Sequence, residues 1–200
     1  MAFVVLEGGD GGGKTTQLNL LREKFPDFVF TKEPGGTPYA DKIRALMLDA
    51  AGKDASGRVM FGLIMASRFD HIEKFITPAL AAGKTVFSDR YMSSSYAYQI
   101  VAPGCSDLIP VFEDYLKLIP LPDLTLVLEV DPRVGRARIT PKRSIDHFEA
   151  RDSSFHERVR EAYRTYAGKY AKGSCVFVNA SRSIEAVHDD VLASIRNVLM

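Results

Sequence analysis

The chain has 200 residues, of which 46% are hydrophobic and 26% are charged. This length is enough to bury one sizeable core, and we expect a single domain over residues 1–200. The formal net charge of +1 gives no basic field for a long polyanion, which disfavours a nucleic-acid partner and favours a small phosphorylated substrate.

The cysteines and the N-terminus predict the compartment. Neither Cys105 nor Cys175 has a histidine at zinc-ligand spacing, and the N-terminus lacks a charged segment followed by a long apolar one. We therefore expect a cytoplasmic protein without disulfides. No apolar run approaches the ~20 residues that span a bilayer, so we expect no membrane insertion.

Apolar, β-branched or aromatic runs alternate with segments of helical spacing along the chain. The predicted strands cover residues 3–6, 28–30, 85–87, 124–130 and 176–178. The predicted helices cover residues 14–24, 37–48, 59–80, 108–118, 155–170 and 184–199. This alternation is typical of the α/β class, and it predicts a three-layer fold with a five-stranded parallel sheet flanked by helices.

The first predicted strand leads through a glycine-rich segment into a helix. The segment fits the pattern Gly-x-x-x-x-Gly-Lys-Thr of a phosphate-binding loop (P-loop), and it contains Gly8, Gly9, Asp10, Gly11, Gly12, Gly13, Lys14, Thr15 and Thr16. Glycines let backbone N–H groups surround phosphates, Lys14 supplies a positive charge, and the Thr15 hydroxyl can coordinate Mg²⁺. The helix N-terminus also favours an anion. We therefore predict a P-loop NTPase fold with a nucleoside triphosphate site, and not a glycine-rich linker.

Functional residues are expected where the parallel strands end, because an open sheet binds ligands at that edge. The second strand is followed by Glu33, Pro34, Gly35, Gly36 and Thr37, and the third by Asp89, Arg90 and Tyr91. Asp89 is placed to hold Mg²⁺ through water, and Arg90 to clamp a phosphate with two parallel hydrogen bonds. A surface salt bridge between two neighbouring charges is the alternative interpretation.

Residues 133–152 are basic and contain too little apolar sequence for a core strand. Their basic side chains are Arg133, Arg136, Arg138, Lys142, Arg143 and Arg151, and Pro141 interrupts them. We interpret the segment from about 136 to 151 as a mobile basic lid flanked by helix. A solvated charged face is the alternative.

Together these segments resemble the thymidylate kinase family from residue 3 to about residue 180. The resemblance rests on Glu7, Gly8, Asp10, Gly11, Gly13, Lys14 and Thr15, on Glu33 to Thr37 with Ile43 and Arg44, and on Asp89, Arg90, Tyr91, Ser94, Ser95, Ala97, Tyr98 and Gln99. It implies a P-loop kinase that transfers the γ-phosphoryl group of ATP to dTMP, giving dTDP and ADP for dTTP biosynthesis. It also implies Mg²⁺ as the cofactor and a homodimer.

The resemblance further implies roles for the acceptor residues. Asp10 would contact the 3′-hydroxyl of the acceptor sugar, Arg90 would grip its phosphate, and Arg44 would help to line that pocket. Tyr98 would lie beneath the sugar and exclude a 2′-hydroxyl. The residues expected around the base and the rest of dTMP are Arg68, Ser95, Gln99, Ser94, Glu33, Pro34 and Ile64.

The same resemblance gives the catalytic set a lid component. Gly11 follows Asp10, so the P-loop offers no arginine to the transferring phosphoryl group, and relatives of this type supply one from the lid. His147 stands where many relatives have a lid arginine, which leaves Arg143 or Arg151 to compensate. The expected catalytic residues are Lys14, Asp89, Arg90, Arg138 and Arg143, and the expected metal contacts are Thr15 and Asp89.

One departure from the family pattern concerns the base. Relatives commonly have a phenylalanine that stacks on thymine four residues before Arg68, where this chain has Ile64. Either Phe61 and Met65 partly refill the space, or Ile64 is an apolar wall against the base. The alternative function is therefore a P-loop kinase of the same fold acting on dUMP, a modified deoxyuridylate or a deoxynucleoside.

A protein without kinase activity, either a nucleotide-dependent switch or an inactive ATP-binding partner, is the alternative from another class. The sequence lacks an Asn-Lys-x-Asp segment for reading guanine, which argues against a GTPase switch. The Asp89-Arg90 pair is intact, which argues against lost catalysis.

Overall fold

The computed structural model describes residues 1–139 and 148–199. Within them, one sheet contains the strands β1 (Phe3–Glu7), β2 (Val29–Lys32), β3 (Val86–Asp89), β4 (Leu124–Glu129) and β5 (Ser174–Asn179). The strand order is β2-β3-β1-β4-β5, and every neighbouring pair is parallel. In this register Val4 of β1 lies between Phe87 of β3 and Leu124 of β4. The predicted five-stranded parallel sheet is confirmed.

Helices connect the strands. They are α1 (Lys14–Lys24), α2 (Pro38–Leu48), α3 (Gly57–His71), α4 (Thr77–Ala81), α5 (Met92–Ser95), α6 (Ile109–Leu116), α7 (Pro132–Ile139), α8 (Ser153–Lys169) and α9 (Ile184–Leu199). Short 3₁₀ turns occupy Ala51–Asp54 and Ser106–Leu108, and π-helical turns occupy Ile72–Ile76 and Tyr96–Val101.

An apolar core lies on each face of the sheet. Phe3 and Val5 of β1 pack into a cluster with side chains from α3 and α8, whereas Val4 and Leu6 pack into a second cluster with side chains from α1 and α9. Every residue of β1 is buried. This two-sided burial explains why the strand is continuously apolar and does not alternate with polar residues.

The helical segment predicted for residues 59–80 contains a feature that periodicity could not indicate. α3 continues into the π-helical turn Ile72–Ile76 before α4 begins. Pro78 has no N–H group, and in a regular α-helix its ring would clash with the carbonyl of Lys74. The wider turn immediately before Pro78 accommodates the proline without ending the helical run.

Two helical segments were not given bounds by the sequence analysis, which expected only an unspecified helix beside the lid and none from Met92. The first is α5 with the π-helical turn Tyr96–Val101, where residues 92–100 are all buried. A helix that is buried on every side has no amphipathic period to detect. The second is α7, which places Arg136 and Arg138 on a helix. Arg143 and His147 lie outside the described residues.

None of the helices in residues 1–139 and 148–199 combines the length and the apolar character needed to cross a bilayer. Cys105 and Cys175 are both free thiols.

Candidate active site

The P-loop joins β1 to α1, and at several positions its backbone adopts a conformation that favours glycine. Gly8, Gly11 and Gly13 have φ angles of 130°, 74° and 88°. A Cβ atom on Gly8 would lie 2.3 Å from the Leu128 carbonyl oxygen. A Cβ atom on Gly11 would lie 2.1 Å from the carbonyl oxygen of Gly135 in α7. The loop is therefore held directly against β4 and α7, with the N-terminus of α1 open towards an anion.

Lys14 is the buried cation of this loop. Its Nζ donates hydrogen bonds to the carbonyl oxygens of Gly8 at 2.9 Å and Gly9 at 3.0 Å. Burial lowers the pKa of Lys14 to about 8, and the positive charge of Arg90 acts in the same direction. A bound polyphosphate would place further negative charge beside this ammonium and favour its protonated form.

Asp89 and Thr15 have the chemistry of a magnesium site. Asp89 ends β3, and its Oδ1 atom is buried with no hydrogen-bond partner in the described part of the chain. Residues 1–139 and 148–199 contain no group of three or more acidic, histidine or cysteine side chains that could hold a metal alone. This matches Mg²⁺, which is usually held by one or two carboxylates together with water and substrate phosphates. Asp89 and the exposed Thr15 line the same cleft, so they fit that ion.

Arg90 lies at the centre of a hydrogen-bond network. Its backbone has a φ of 72°, which is unusual for a residue with a side chain. The guanidinium NH2 donates to Asp10 Oδ1 at 2.7 Å, and NH1 donates to Ser94 Oγ at 3.0 Å and to the Tyr163 hydroxyl at 3.3 Å. Burial opposes ionisation of Asp10, but the charges of Arg90 and Lys14 outweigh it and lower the pKa of Asp10.

The buried carboxyl group of Glu7 binds the same Ser94 and Tyr163 hydroxyls that contact Arg90, and the sequence analysis assigned Glu7 no role. Glu7 accepts hydrogen bonds from Ser94 Oγ at 2.5 Å, from Tyr91 N at 2.8 Å and from the Tyr163 hydroxyl at 3.2 Å. Burial raises the pKa of Glu7, although Arg90 and these bonds oppose the rise. A charged residue at the end of a fully apolar strand is the sequence signal that could have found it.

A second network surrounds Arg68 of α3. Its Nε donates to Glu33 Oε2 at 2.6 Å, and its NH1 donates to Ser95 Oγ at 2.9 Å and lies 2.7 Å from the Met92 sulfur. The guanidinium carbon lies 5.0 Å from the centroid of the Tyr91 ring. Arg68 is therefore held through two of its three guanidinium nitrogens. It lines a pocket, called here the acceptor pocket, together with Ile64, Ser95, Tyr98 and Gln99.

The acceptor pocket meets the P-loop at Tyr98. The Tyr98 hydroxyl donates to Asp10 Oδ2 at 3.1 Å, and the guanidinium carbon of Arg90 lies 5.0 Å from the ring centroid. Burial raises the pKa of Tyr98, so its hydroxyl stays protonated and can donate. Gln99 Oε1 is buried with no hydrogen-bond partner among the described residues, which leaves one acceptor available to a ligand.

One cleft of about 700 Å³ contains nearly all of the predicted residues. Those that line it are Asp10, Gly11, Gly12, Gly13, Lys14, Thr15, Thr16, Glu33, Pro34, Arg44, Ile64, Arg68, Asp89, Arg90, Ser94, Ser95, Tyr98, Gln99 and Arg138. Gly8 and Gly9 line a smaller cavity behind the loop, and Arg143 lies outside the described residues. The cleft also contains residues that were not predicted, among them Met47, Arg182 and Ile184.

Two further predicted arginines reach the cleft from its two ends. Arg44 NH1 donates to the Pro34 carbonyl oxygen at 3.0 Å, beside the acceptor pocket. Arg138 NH1 donates to the carbonyl oxygens of Ala180 at 2.9 Å and Gly11 at 3.3 Å, at the opposite end. We call this opposite end, formed by Ala180, Arg182 and Ile184, the donor end.

Comparison with known proteins agrees with this geometry. The family model for thymidylate kinase matches residues 6–191. A thymidylate kinase from Pseudomonas putida is 38% identical over 202 residues, covering 98% of this chain and 96% of the relative. One from Chromobacterium violaceum is 38% identical over 205 residues, covering 98% and 94%. The crystal structure of thymidylate kinase from Ehrlichia chaffeensis superposes with a TM-score of 0.76 at 28% identity and covers 98% of both chains.

Proposed function

The chain belongs to the thymidylate kinase family, and from this premise we propose that it transfers the γ-phosphoryl group of ATP to dTMP, giving dTDP and ADP for dTTP biosynthesis. The observation that carries the proposal is the shared cleft, because a P-loop and the acceptor pocket open into one space. An oxygen of the acceptor phosphate attacks the γ-phosphorus as the bond to ADP breaks, with no covalent enzyme intermediate.

On the donor side, the residues of the P-loop offset the negative charge of the ATP phosphates. Lys14 and the backbone N–H groups of the P-loop bind the β- and γ-phosphates. Thr15 and Asp89 would hold Mg²⁺, which would offset part of the negative charge of the phosphates. The unpartnered Oδ1 of Asp89 supports this assignment.

On the acceptor side, the ion pair between Arg90 and Asp10 must open. The acceptor phosphate carries more negative charge than one carboxylate, so it replaces Asp10 as the hydrogen-bond partner of the Arg90 guanidinium. Asp10, released from Arg90, is then available to the 3′-hydroxyl of the sugar. Tyr98 packs under the sugar, and Arg44 lines the phosphate side of the pocket.

Base recognition falls to the other residues of the acceptor pocket. The described residues give no hydrogen bond from Arg68 NH2, so this group can donate to a carbonyl oxygen of the base, and Ser95 and Gln99 offer further hydrogen-bond partners. Glu33, Pro34 and Ser94 also line the cleft, and we assign them to the shape of the pocket and not to hydrogen bonds with the base.

The lid completes the donor side in this proposal. Arg138 and Arg143 are the two candidates for the arginine that stabilises charge on the moving phosphoryl group. Gly11 supports a lid origin, since its φ of 74° and its contact with Gly135 exclude an arginine side chain at that point of the P-loop.

A homodimer is the expected assembly. Val59, Val111 and Leu118 are exposed apolar side chains on or beside α3 and α6. Phe61 and Tyr115 pack edge to face between these two helices, with ring centroids 5.9 Å apart. This exposed apolar surface supports a dimer, and sedimentation velocity measures the mass directly. We also expect the protein to act in the cytoplasm, in keeping with its free thiols.

The second candidate function, a preference for dUMP or another deoxyuridylate, rests on Ile64. An aromatic ring stacked on a pyrimidine contributes about 1 kcal/mol beyond burial, which an aliphatic wall does not supply. We expect dTMP to be the best acceptor, dUMP to be a poorer but measurable one, and thymidine and the ribose analogue of dTMP to be much poorer.

A coupled assay of ADP release across these four acceptors tests both functions. The Ile64→Phe variant should lower the KM for dTMP about fivefold, which corresponds to that stacking energy. Its KM for ATP serves as the control and should not change. A higher kcat/KM for dUMP than for dTMP would select the second function. A raised KM for dTMP in a stable variant would show that Phe61 or Met65 already fills the stacking space.

A further inference from the structure

His71 is a fully buried histidine directly behind the acceptor pocket. It is 0% exposed and ends α3, three residues after Arg68, so the two side chains lie on one face of the helix. Its ring stacks on Phe75, with centroids 5.6 Å apart. The sequence analysis assigned His71 no role.

Both ring nitrogens of His71 have a partner. Nδ1 lies 3.0 Å from Glu33 Oε1, and Nε2 lies 2.6 Å from Thr31 Oγ1. A carboxylate oxygen can only accept, so Nδ1 carries the hydrogen. In the neutral ring Nε2 then accepts from the Thr31 hydroxyl, and this pair of contacts fixes both the tautomer and the ring plane.

Glu33 passes this orientation on to Arg68. The oxygen of Glu33 that does not face His71 accepts from Arg68 Nε, and Arg68 NH1 is bound to Ser95. Within the described residues the structure gives no hydrogen bond to Arg68 NH2. Arg68 lines the acceptor pocket with its NH2 group still able to donate; the Glu33 carboxylate sets the orientation of the guanidinium, and His71 sets that of the carboxylate.

The turn that carries Glu33 also rests on His71. A Cβ atom on Gly36 would lie 2.5 Å from His71 Nε2 and 2.7 Å from Thr31 Oγ1, and the φ of Gly36 is 93°. The backbone of this turn therefore packs against the imidazole. Replacing the imidazole by a side chain of another shape therefore removes packing against this turn and also one hydrogen bond.

We propose that His71 is a positioning residue for recognition of the acceptor base, acting through Glu33 on Arg68. This inference deepens the proposed function, since it requires Arg68 to bind the acceptor. Without the Nδ1 hydrogen, one buried oxygen of Glu33 has no partner and Arg68 loses a fixed orientation. Acceptor binding then weakens, while ATP binding at the other end of the cleft does not change.

The experiment compares three substitutions by steady-state kinetics on the full-length enzyme. Asn places a side-chain N–H near the position of Nδ1, Gln places one near Nε2, and Leu has neither. We expect His71→Leu and His71→Gln to raise the KM for dTMP about tenfold, the loss expected when a buried charged acceptor is left unpaired, with the KM for ATP unchanged. His71→Asn should restore most of the affinity. Equal KM values for His71→Asn and His71→Gln would overturn the inference.

A double-mutant cycle separates positioning from a general loss of packing. Arg68→Met removes the guanidinium, so adding His71→Asn or His71→Gln to it should raise the KM for dTMP no further. Independent, multiplicative effects would overturn the positioning role. If Arg68→Met alone leaves the KM for dTMP unchanged, the proposed acceptor site itself is wrong. If Arg68→Met raises it and the His71 variants do not, only the role of His71 fails.

Discussion

Lys14 carries a charge that burial makes hard to keep. Its ammonium is surrounded by two carbonyl oxygens of the P-loop and stands near Arg90, and burial lowers its pKa to about 8. Triphosphate binding requires the charged form, because the attraction is between the ammonium and the phosphate oxygens. Bound ATP therefore raises the pKa of Lys14, and a proton is taken up wherever the free enzyme has lost it.

The sign of the pH dependence follows from this linkage. Below pH 8 Lys14 is protonated in the free enzyme and ATP binds at full strength. Above pH 8 the protonated fraction falls, so the Kd for Mg²⁺·ATP should rise by up to about tenfold per pH unit until the pKa of the complex is reached. Isothermal titration on both sides of this pH measures the Kd and the proton uptake.

Two variants of Lys14 provide the controls for that measurement. Lys14→Arg keeps a charge at every pH and should show no inflection near pH 8. Lys14→Ala should bind weakly at every pH and lose orders of magnitude in kcat, since the charge matters most as the phosphoryl group moves. A wild-type Kd that stays constant across this range would contradict a lowered pKa for Lys14.

At the scale of elements, α7 connects the P-loop to the lid segment. Arg138 on this helix donates to Gly11 and Ala180, so its guanidinium is already engaged with backbone at the donor end. Arg143 follows beyond the end of α7. Because Arg138 is engaged in this way, we predict that Arg143 contacts the transferring phosphoryl group and that Arg138 positions bound ATP.

Two alanine variants test this division. Arg143→Ala should lower kcat by about tenfold or more with little change in either KM, because a contact made only in the transition state is lost. Arg138→Ala should instead raise the KM for ATP. The reverse pattern would exchange the two roles, and unchanged kcat in both variants would end the lid proposal.

Helices with one apolar face were predictable from the sequence, and the helical segment without one was not. α8 and α9 were predicted because they bury one side, whereas the helical segment from Met92 was not, because it is buried all round. The lid interpretation of residues 136–151 stays a prediction, since residues 140–147 lie outside the described chain.

The same distinction applies to the site. Asp89 and Arg90 were predicted to be site residues because they stand at the end of a buried strand. The contact between Glu33 and His71 joins residues 38 positions apart on different elements, and no local pattern indicates it. Glu7 likewise acts through Ser94 and Tyr163, which only the packing of α5 and α8 against β1 brings near it.

At the scale of the whole molecule, the proposed ATP and dTMP sites lie within one connected cleft. A ligand that joins adenosine to thymidine through a 5′,5′-oligophosphate of suitable length should fill both ends at once. Its second half binds at a high effective concentration, so we expect affinity at least about a hundredfold above that of ATP or dTMP alone. Isothermal titration gives the Kd, and thermal unfolding gives a matching rise in Tm.

The matched control is a diadenosine ligand with the same number of phosphates, which should bind the donor end only. Affinity of the mixed ligand no better than that of ATP would show that the two ends cannot be bridged. The proposed geometry of direct transfer would then be wrong.

The contact between Gly11 and Gly135 restricts how this enzyme can evolve. Neither position has room for a side chain: a Cβ on Gly11 would lie 2.1 Å from the Gly135 carbonyl oxygen, and a Cβ on Gly135 would lie 2.4 Å from the Asp10 carbonyl oxygen. A mutation that placed an arginine in the P-loop at position 11 would push α7 away and displace Arg138 with it. On the proposal that a lid arginine stabilises the moving phosphoryl group, this displacement would impair catalysis before the new arginine could replace it. Moving that charge to the P-loop would therefore need changes in both segments together.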